Sequence, residues 1–213
     1  MLNSIELIAQ NAIRIRKQEN KVIYFDPFKL GMDYQNDADF IFITHSHFDH
    51  FSPEDILKIK KDETKIIATE DIKIEIKKIG FDDKNVLLVK PNNEYKIGEI
   101  EFRTILAYNI KKDFHKKEFN WVGYIVDIEG EKVYIAGDTD NTEEARNVEC
   151  DIACIPVGGT YTMNYEEAVE LIKSIRPQIA IPTRYKTIVG TEEDAYRFKE
   201  MLQGKVDVSI IMK

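Results

Sequence analysis

Three of the chain's four histidines fall within six residues, between Thr44 and His50. The segment reads Thr-His-Ser-His-Phe-Asp-His, so His45, His47 and His50 stand beside the carboxylate of Asp49. Neutral imidazoles and carboxylates are the ligands that zinc and related divalent metals prefer. Such a metal can activate a water molecule for hydrolysis. The cluster therefore predicts a metal centre, and a group of solvated surface histidines is the alternative.

The elements on either side of this cluster could hold it in place. The apolar run over residues 40–44 predicts a buried strand, and ligands at the carboxyl end of such a strand open into the crevice where α/β proteins build their sites. Ser52 is placed as a helix N-cap, with Pro53 in the first turn and Asp55 three residues after the cap. The sequence thus predicts a strand, a ligand-bearing turn and a helix.

The chain as a whole falls into two similar halves. Each half begins with several strands and continues with alternating strands and helices. Further strands are predicted over 5–8, 12–16, 22–25, 66–69, 86–89, 100–107, 122–127, 133–136, 152–157, 179–182 and 206–211. Further helices are predicted over 70–79, 143–147, 165–175 and 192–202. This order predicts an α/β fold, a four-layer αββα sandwich of two mixed sheets flanked by helices, forming a single domain over residues 1–213.

The motif His-x-His-x-Asp-His after a short apolar strand resembles that of the metallo-β-lactamase superfamily, whose αββα sandwich matches this element order. Asp26, which follows the strand 22–25, matches the superfamily's first motif, and Asp138 in Gly137-Asp138-Thr139 matches the fourth. The segments at 121–124, 134–139 and 155–159 resemble those of the compact branch that includes ascorbate-6-phosphate lactonase. The resemblance extends over essentially the whole chain.

The resemblance implies a role for each matching residue. His45 and His47 would hold a first metal, Asp49 and His50 a second, and Asp138 would bridge the two ions. Asp26 would hydrogen-bond a ligand and fix its orientation. On the residues alone, Asp26 could also be a turn residue before a proline, and Asp138 could belong to a simple turn.

Two positions depart from the family pattern. Asn109 stands where the third motif has a histidine; nearby His115 is either a ligand of the first metal or a solvated histidine between lysines. Arg184 stands where the fifth motif has a histidine, and an arginine has no lone pair for a metal. Arg184 has several interpretations. The second metal site could be weak, or the activity could be lost. Alternatively, Arg184 could supply a fixed charge for an anionic substrate or lie at the surface on a displaced loop.

A glycine-rich turn over residues 158–162 follows the predicted strand 152–157. Its backbone amides could meet an anion near the site, although Thr162 or Asn164 acting as the cap of the next helix is the plainer explanation. Tyr161 in this turn could line the substrate pocket or could serve only in packing.

Composition argues against several kinds of partner and cellular location. The net charge of −8 argues against a broad nucleic-acid surface, and the lysines at 111, 112, 116 and 117 are read as a solvated loop. Cys150 and Cys154 lie roughly 13 Å apart if extended, too far for a disulfide, and Cys154 is expected in the core. No apolar run reaches the roughly 20 residues of a membrane span, and no secretory signal is visible, so a cytoplasmic protein is predicted.

The metal-ligand pattern predicts a metal-dependent hydrolase, and the resemblance implies a small ester, lactone or phosphodiester as substrate, which Arg184 would favour in anionic form. The cofactor would be one or two divalent ions, with zinc preferred over manganese, nickel or iron. Asp49 would orient the attacking hydroxide and carry its proton. The alternatives are a nuclease and a non-catalytic metal- or ligand-binding protein of the same fold. A flavin-partnered di-iron oxidoreductase is disfavoured, since those relatives have Glu in place of His47.

Overall fold

A computed structural model describes residues 2–212, which form two compact units. The first unit comprises residues 2–90 together with Met212, and the second comprises Pro91–Ile211. Each unit is built on one mixed sheet. The boundary falls between the two halves expected from the sequence, while the single domain stays a prediction.

The first unit contains a six-stranded sheet with its strands in chain order. The strands are β1 (Ile5–Ala9), β2 (Ala12–Arg16), β3 (Val22–Phe25), β4 (Ala38–Phe42), β5 (Lys60–Thr69) and β6 (Val86–Val89), and the helices are α1 (Pro53–Ile59) and α2 (Lys73–Lys78). The first three strands pair antiparallel and the last three continue in parallel from β3. The carboxyl ends of β3, β4 and β5 therefore meet at one edge, where β4 leads into the histidine segment.

Apolar side chains hold α1 and α2 to this sheet. Ile56 and Ile59 of α1 and Ile76 of α2 join Ile41 and Tyr24 of the strands in one buried cluster. The Asp55 backbone N–H donates to the Ser52 hydroxyl, and Pro53 occupies the first turn, so the predicted cap is confirmed. The cap Ser52 lies two residues after His50, so the start of α1 also fixes where the histidine segment ends.

The second unit contains a seven-stranded sheet, again with its strands in chain order. The strands are β7 (Glu94–Ile97), β8 (Ile100–Leu106), β9 (Val122–Ile128), β10 (Glu131–Ile135), β11 (Ile152–Pro156), β12 (Ile179–Thr183) and β13 (Asp207–Val208), and the helices are α3 (Glu143–Arg146), α4 (Tyr165–Ile175) and α5 (Glu192–Leu202). Strands β7 to β10 are antiparallel, and β10 to β13 are parallel. The carboxyl ends of β10, β11 and β12 thus share an edge.

Helix α4 has the bounds that its apolar period predicts. Asn164 caps it in a capping box with Glu167, and Ala168 and Leu171 are among its buried residues. Asn164, rather than Thr162, is therefore the cap. The helix ends at Ile175, and the left-handed backbone of its C-cap Arg176 (φ 49°) turns the chain before Pro177.

Several boundaries differ from those expected. The predicted helix 70–79 begins as a 3-10 turn over Glu70–Ile72, and only Asp207–Val208 of the predicted last strand forms a ladder. Strand β7 was not predicted, because its Glu94 and Lys96 are exposed and its alternation is mostly polar. It is held by antiparallel pairing with β8 and by an ion pair from Lys96 to Glu101.

Both cysteines are free thiols, as expected. Cys154 is fully buried in β11, which confirms its place in the core. Burial raises the pKa of the Cys150 thiol to about 12, so this side chain stays protonated at neutral pH. Neither side chain has the thiolate character of a metal ligand or a nucleophile.

Candidate metal centre

The histidine segment is a tight turn at the carboxyl end of β4. The backbone N–H groups of His50 and Phe51 both donate to the His47 carbonyl, at 2.9 and 2.8 Å. The turn directs Asp49 and His50 inward, where both are buried, whereas Phe48 between His47 and Asp49 is exposed. The predicted ligands of this segment are thus brought together by backbone geometry.

His45 and His47 present nitrogen atoms to each other. His45 Nε2 lies 3.1 Å from His47 Nδ1, and His45 is buried. Two ligands about 2.0–2.1 Å from one ion and about 90–110° apart would lie about 2.9–3.4 Å from each other. The spacing of this pair therefore suits two ligands of one divalent ion.

Asp26 is the centre of the hydrogen bonds behind the histidines. It is fully buried after β3 and accepts from the Asn11 side-chain amide at 2.8 Å and from the Thr44 backbone N–H at 2.8 Å. Its Oδ2 lies 2.7 Å from His50 Nδ1. Because a carboxylate can only accept, we assign the hydrogen of His50 to Nδ1, which leaves the Nε2 lone pair for a metal.

Thr44 orients a second ring through the same carboxylate. Its hydroxyl donates to Asp26 Oδ2 at 2.7 Å, so its oxygen can accept from His45 Nδ1, which lies 3.0 Å away. This assigns the hydrogen of His45 to Nδ1 and leaves the Nε2 lone pair available for a metal. This role of Thr44 was not predicted from the sequence, where its signal was a polar residue directly before the first histidine.

Asp49 lies beside His50 at the edge of this cluster. Its Oδ2 is 3.7 Å from His50 Nε2 and accepts from the Gln10 side-chain amide at 3.3 Å. Gln10 is fully buried in the turn between β1 and β2, with a left-handed backbone (φ 52°). The first sheet thus supplies Asp49 with a fixed donor that the sequence did not reveal.

The second unit holds its own histidine and aspartate pair. Asp138 follows β10, and its Oδ2 lies 2.9 Å from His115 Nε2. Both side chains are about 1% exposed, so the reading of His115 as a solvated histidine is wrong. The separation of this pair also suits two ligands of one ion.

Asn109 holds His115 rather than replacing it. Its Oδ1 accepts from the His115 backbone N–H at 3.1 Å and lies 2.9 Å from His115 Nδ1, while its amide donates to Asp140 and to the Tyr161 carbonyl, both at 3.0 Å. Since the amide oxygen can only accept, Nδ1 carries the hydrogen and Nε2 is directed at Asp138. Asn109 therefore orients a histidine six residues further along the chain.

Arg184 is buried after β12 and is paired with the same aspartate. Its Nη1 lies 3.0 Å from Asp138 Oδ1, and only 2% of its side chain is exposed, so the reading of a surface residue is wrong. Its backbone is left-handed (φ 56°). A Cβ on Gly158 would lie 2.0 Å from the Arg184 carbonyl, so this turn needs glycine to let the Arg184 backbone approach.

The segment between Asn109 and Asn120 is tied down by its lysines. Lys112 donates to the Thr162 carbonyl and Lys117 pairs with Glu144 at 2.9 Å, so these two lysines are not simply solvated. Tyr161 is half-buried, and its ring meets that of Phe114 edge-on at 4.7 Å. Asn109, Lys112 and Tyr161 thus place His115 within a fixed framework.

Comparison with known proteins agrees with this donor chemistry. Residues 4–184 match the family model described as the β-lactamase superfamily domain. The chain is 31% identical over 179 residues to a UPF0173 metal-dependent hydrolase of Thermoplasma acidophilum, covering 82% of this chain and 77% of that protein. It is 29% identical over 218 residues to a UPF0173 metal-dependent hydrolase of Methanosphaera stadtmanae, covering 95% and 92%.

A solved structure gives the same result for the fold. A Parabacteroides distasonis protein described as a metal-dependent hydrolase superposes with a TM-score of 0.83 and 29% identity, over 98% of this chain and 93% of that one. The predicted α/β class, with two mixed sheets and flanking helices, is confirmed. The likeness to the lactonase branch stays a prediction. The chain belongs to the β-lactamase superfamily, among the UPF0173 metal-dependent hydrolases.

Proposed function

We propose that this chain hydrolyses a small ester, lactone or phosphodiester with the help of divalent metal bound by its histidine and aspartate clusters. The proposed ligands are His45, His47, Asp49, His50, His115 and Asp138. The observation that carries the proposal is the spacing of ligand atoms within each cluster, 3.1 Å for His45 and His47 and 2.9 Å for His115 and Asp138. Family membership supports the same reading.

The donor set suits a metal in its protonation pattern as well as its spacing. His45, His50 and His115 each place Nδ1 against a hydrogen-bond acceptor, namely Thr44, Asp26 and Asn109. Each Nε2 is therefore the electron-pair donor, and second partners of this kind commonly fix the orientation of ligating histidines. Nitrogen and oxygen donors together favour zinc, with manganese, nickel or iron as alternatives.

A bound divalent ion would supply Lewis acidity, which lowers the pKa of water towards about 7 and polarises a substrate oxygen. The chain's own contribution to hydrolysis is proton transfer and binding. Asp49, aligned by the Gln10 amide, is the proposed carrier of a proton from the attacking water to the leaving group. Tyr161 and Arg184 are the proposed contacts of an anionic substrate, and a guanidinium offers donors beyond the one directed at Asp138.

Arg184 bears on the number of ions. A buried, permanently charged guanidinium 3.0 Å from Asp138 Oδ1 already neutralises the carboxylate that would help to hold a second cation. A second cation held near this carboxylate would be repelled by the guanidinium in a buried setting. One tightly bound ion, held at His45 and His47, is therefore the proposed state of the wild-type chain.

Hydrolysis of model substrates tests the proposal. Zinc- or manganese-loaded protein is assayed with 4-nitrophenyl acetate, a γ-lactone and bis(4-nitrophenyl) phosphate. Replacing Asp49 by Asn should lower kcat by about 100-fold or more, as expected for loss of a proton carrier. The matched Asp62→Asn change, at an exposed position of β5, should leave kcat unchanged. Equal activity of the two variants would remove Asp49 from the mechanism.

A non-catalytic binding protein is the second candidate, and the Arg184 to Asp138 ion pair favours it. In that case the metal-loaded chain would turn over none of the substrates while still binding metal at His45 and His47. Turnover that is lost in His47→Ala would exclude this candidate. A cytoplasmic location remains part of the proposal; within residues 2–212 no helix is long and apolar enough to cross a membrane.

A further inference from the structure

One residue of the histidine turn is not explained by metal binding. Phe48 lies between His47 and Asp49 and is 69% exposed, although its neighbours Asp49 and His50 are buried. The backbone bonds that close the turn at His47 fix the direction in which this ring projects. A large apolar ring is therefore presented to solvent from within the proposed ligand turn.

The ring of Phe48 has a rigid aromatic partner. Phe28 meets it edge-on, with ring centroids 5.9 Å apart, and Phe28 also packs on the core cluster of the first unit. The next two backbone N–H groups, of Lys29 and Leu30, donate to the buried Asp55 carboxylate at 2.8 and 3.1 Å. Phe28 is thus anchored on both its ring side and its backbone side.

A similar arrangement recurs in the second unit. Phe114 directly precedes the buried His115, is 47% exposed, and meets the Tyr161 ring edge-on. In each unit an exposed phenylalanine therefore adjoins a proposed metal ligand and rests on a second aromatic ring. Isolated exposed apolar residues are ordinary, but a ring pair repeated beside both clusters points to a use for apolar surface.

We infer that Phe48, supported by Phe28, binds an apolar acyl or aryl group of the substrate. The inference rests on the proposed function and names the substrate class for it: esters or lactones with an apolar chain rather than small, wholly polar ones. Two rings offer far less area than a protein interface of about 800 Å² per partner requires, so a substrate group is the fitting occupant. Each methylene buried against such a surface strengthens binding by about fourfold.

The ratio of kcat/KM for 4-nitrophenyl hexanoate to that for 4-nitrophenyl acetate tests the inference. The wild-type ratio should exceed about 10, since four added methylenes are partly buried. Phe48→Ser should lower this ratio by about fivefold or more, and Ile74→Ser, a matched change at a 65% exposed position of α2, should leave it unchanged. A ratio near 1 in the wild type, or an equal ratio in both variants, would overturn the inference.

Calorimetric binding of hexanoate and acetate to the metal-loaded protein gives a readout apart from turnover. Hexanoate should bind at least about tenfold more tightly than acetate, and Phe48→Ser, but not Ile74→Ser, should remove most of that difference. If no ester is hydrolysed but this pattern appears, the proposed function fails and the apolar subsite stands. If esters are hydrolysed and both acids bind equally, the subsite fails and the proposed function stands.

Discussion

At the scale of single residues, the orientation of three histidine rings depends on neighbouring side chains that accept a hydrogen bond from each ring. Thr44, Asp26 and Asn109 each lie against an Nδ1 atom. The sequence predicted His45, His50 and Asp26 because motif spacing specifies them. The sequence could not show whether His115 is a ligand or a solvated residue. His115 lies six residues after the expected position and comes next to Asp138 only because Asn109 closes the intervening loop.

Thr44 offers a direct test of this orientation. Thr44→Val keeps the shape of the side chain but removes the hydroxyl that accepts from His45 Nδ1. We expect it to weaken zinc binding by about 10- to 100-fold, the range typical of lost partners behind a ligating histidine. Competition with a chromophoric chelator measures the affinity.

Thr44→Ser is the matched control for this change. It keeps the hydroxyl and its bond to Asp26, so its zinc affinity should stay close to that of the wild type. Thermal melts of both variants separate loss of binding from loss of folding. Wild-type affinity in Thr44→Val, with the protein folded, would contradict the assigned ring orientation.

Arg184 allows the number of metal ions to be changed by one substitution. Arg184→His removes the buried charge beside Asp138 and supplies an imidazole after β12. We expect the metal content to rise from about one to about two ions per chain. Arg184→Lys keeps a cation at this position and should stay near one ion. Elemental analysis distinguishes the two, and one ion in both variants would refute the proposed role of the guanidinium.

At the scale of elements, patterning predicted the strands and helices that carry a continuous apolar face. Strands β2, β3 and β6 and helices α4 and α5 have the expected bounds. Strand β7 was missed and β13 was predicted too long, because a half-exposed edge strand is defined by its hydrogen-bonded neighbour rather than by its own hydrophobicity. The turn that presents the histidines was predictable only in its position, not in the inward direction of Asp49 and His50.

One carboxylate links three elements of the first sheet and gives the fold a pH dependence. Burial would raise the pKa of Asp39 in β4, but the Val22 backbone N–H at 2.9 Å and the ammonium groups of Lys61 and Lys21 together hold the pKa below its ordinary value. The stabilisation is thus present above the unfolded-state pKa of about 3.9 and is lost as the pH falls through the lower folded-state pKa.

Asp39→Asn should therefore destabilise the protein by about 1–3 kcal/mol at pH 7, with the difference from wild type shrinking below about pH 4. Urea unfolding at pH 7 and at acid pH measures the free energy of unfolding. Asp62→Asn, an exposed carboxylate on β5, is the control and should have no effect at either pH. A pH-independent loss in Asp39→Asn would show that packing, not charge, is responsible.

At the scale of the whole molecule, family membership shows a metal-dependent hydrolase, and the ligand residues in each unit remain proposals. The resemblance extends along nearly the full chain, and the matched region ends at Arg184 itself. The family could be predicted because its motif combines several rare residue types at fixed spacing. The proposed apolar subsite could not, because Phe48 and Phe114 became distinctive only once their exposure and aromatic partners were known.

The metal content of the purified chain is the direct test of a metal centre at His45 and His47. Elemental analysis of protein prepared without chelators or metal-affinity resin, and again after incubation with zinc, should give about one ion per chain for the wild type. The double variant His45→Ala and His47→Ala, checked for folding by its thermal melt, should hold none. A wild-type chain that takes up no metal after incubation, or a folded double variant that keeps its full complement, would rule out a metal centre held by these two histidines.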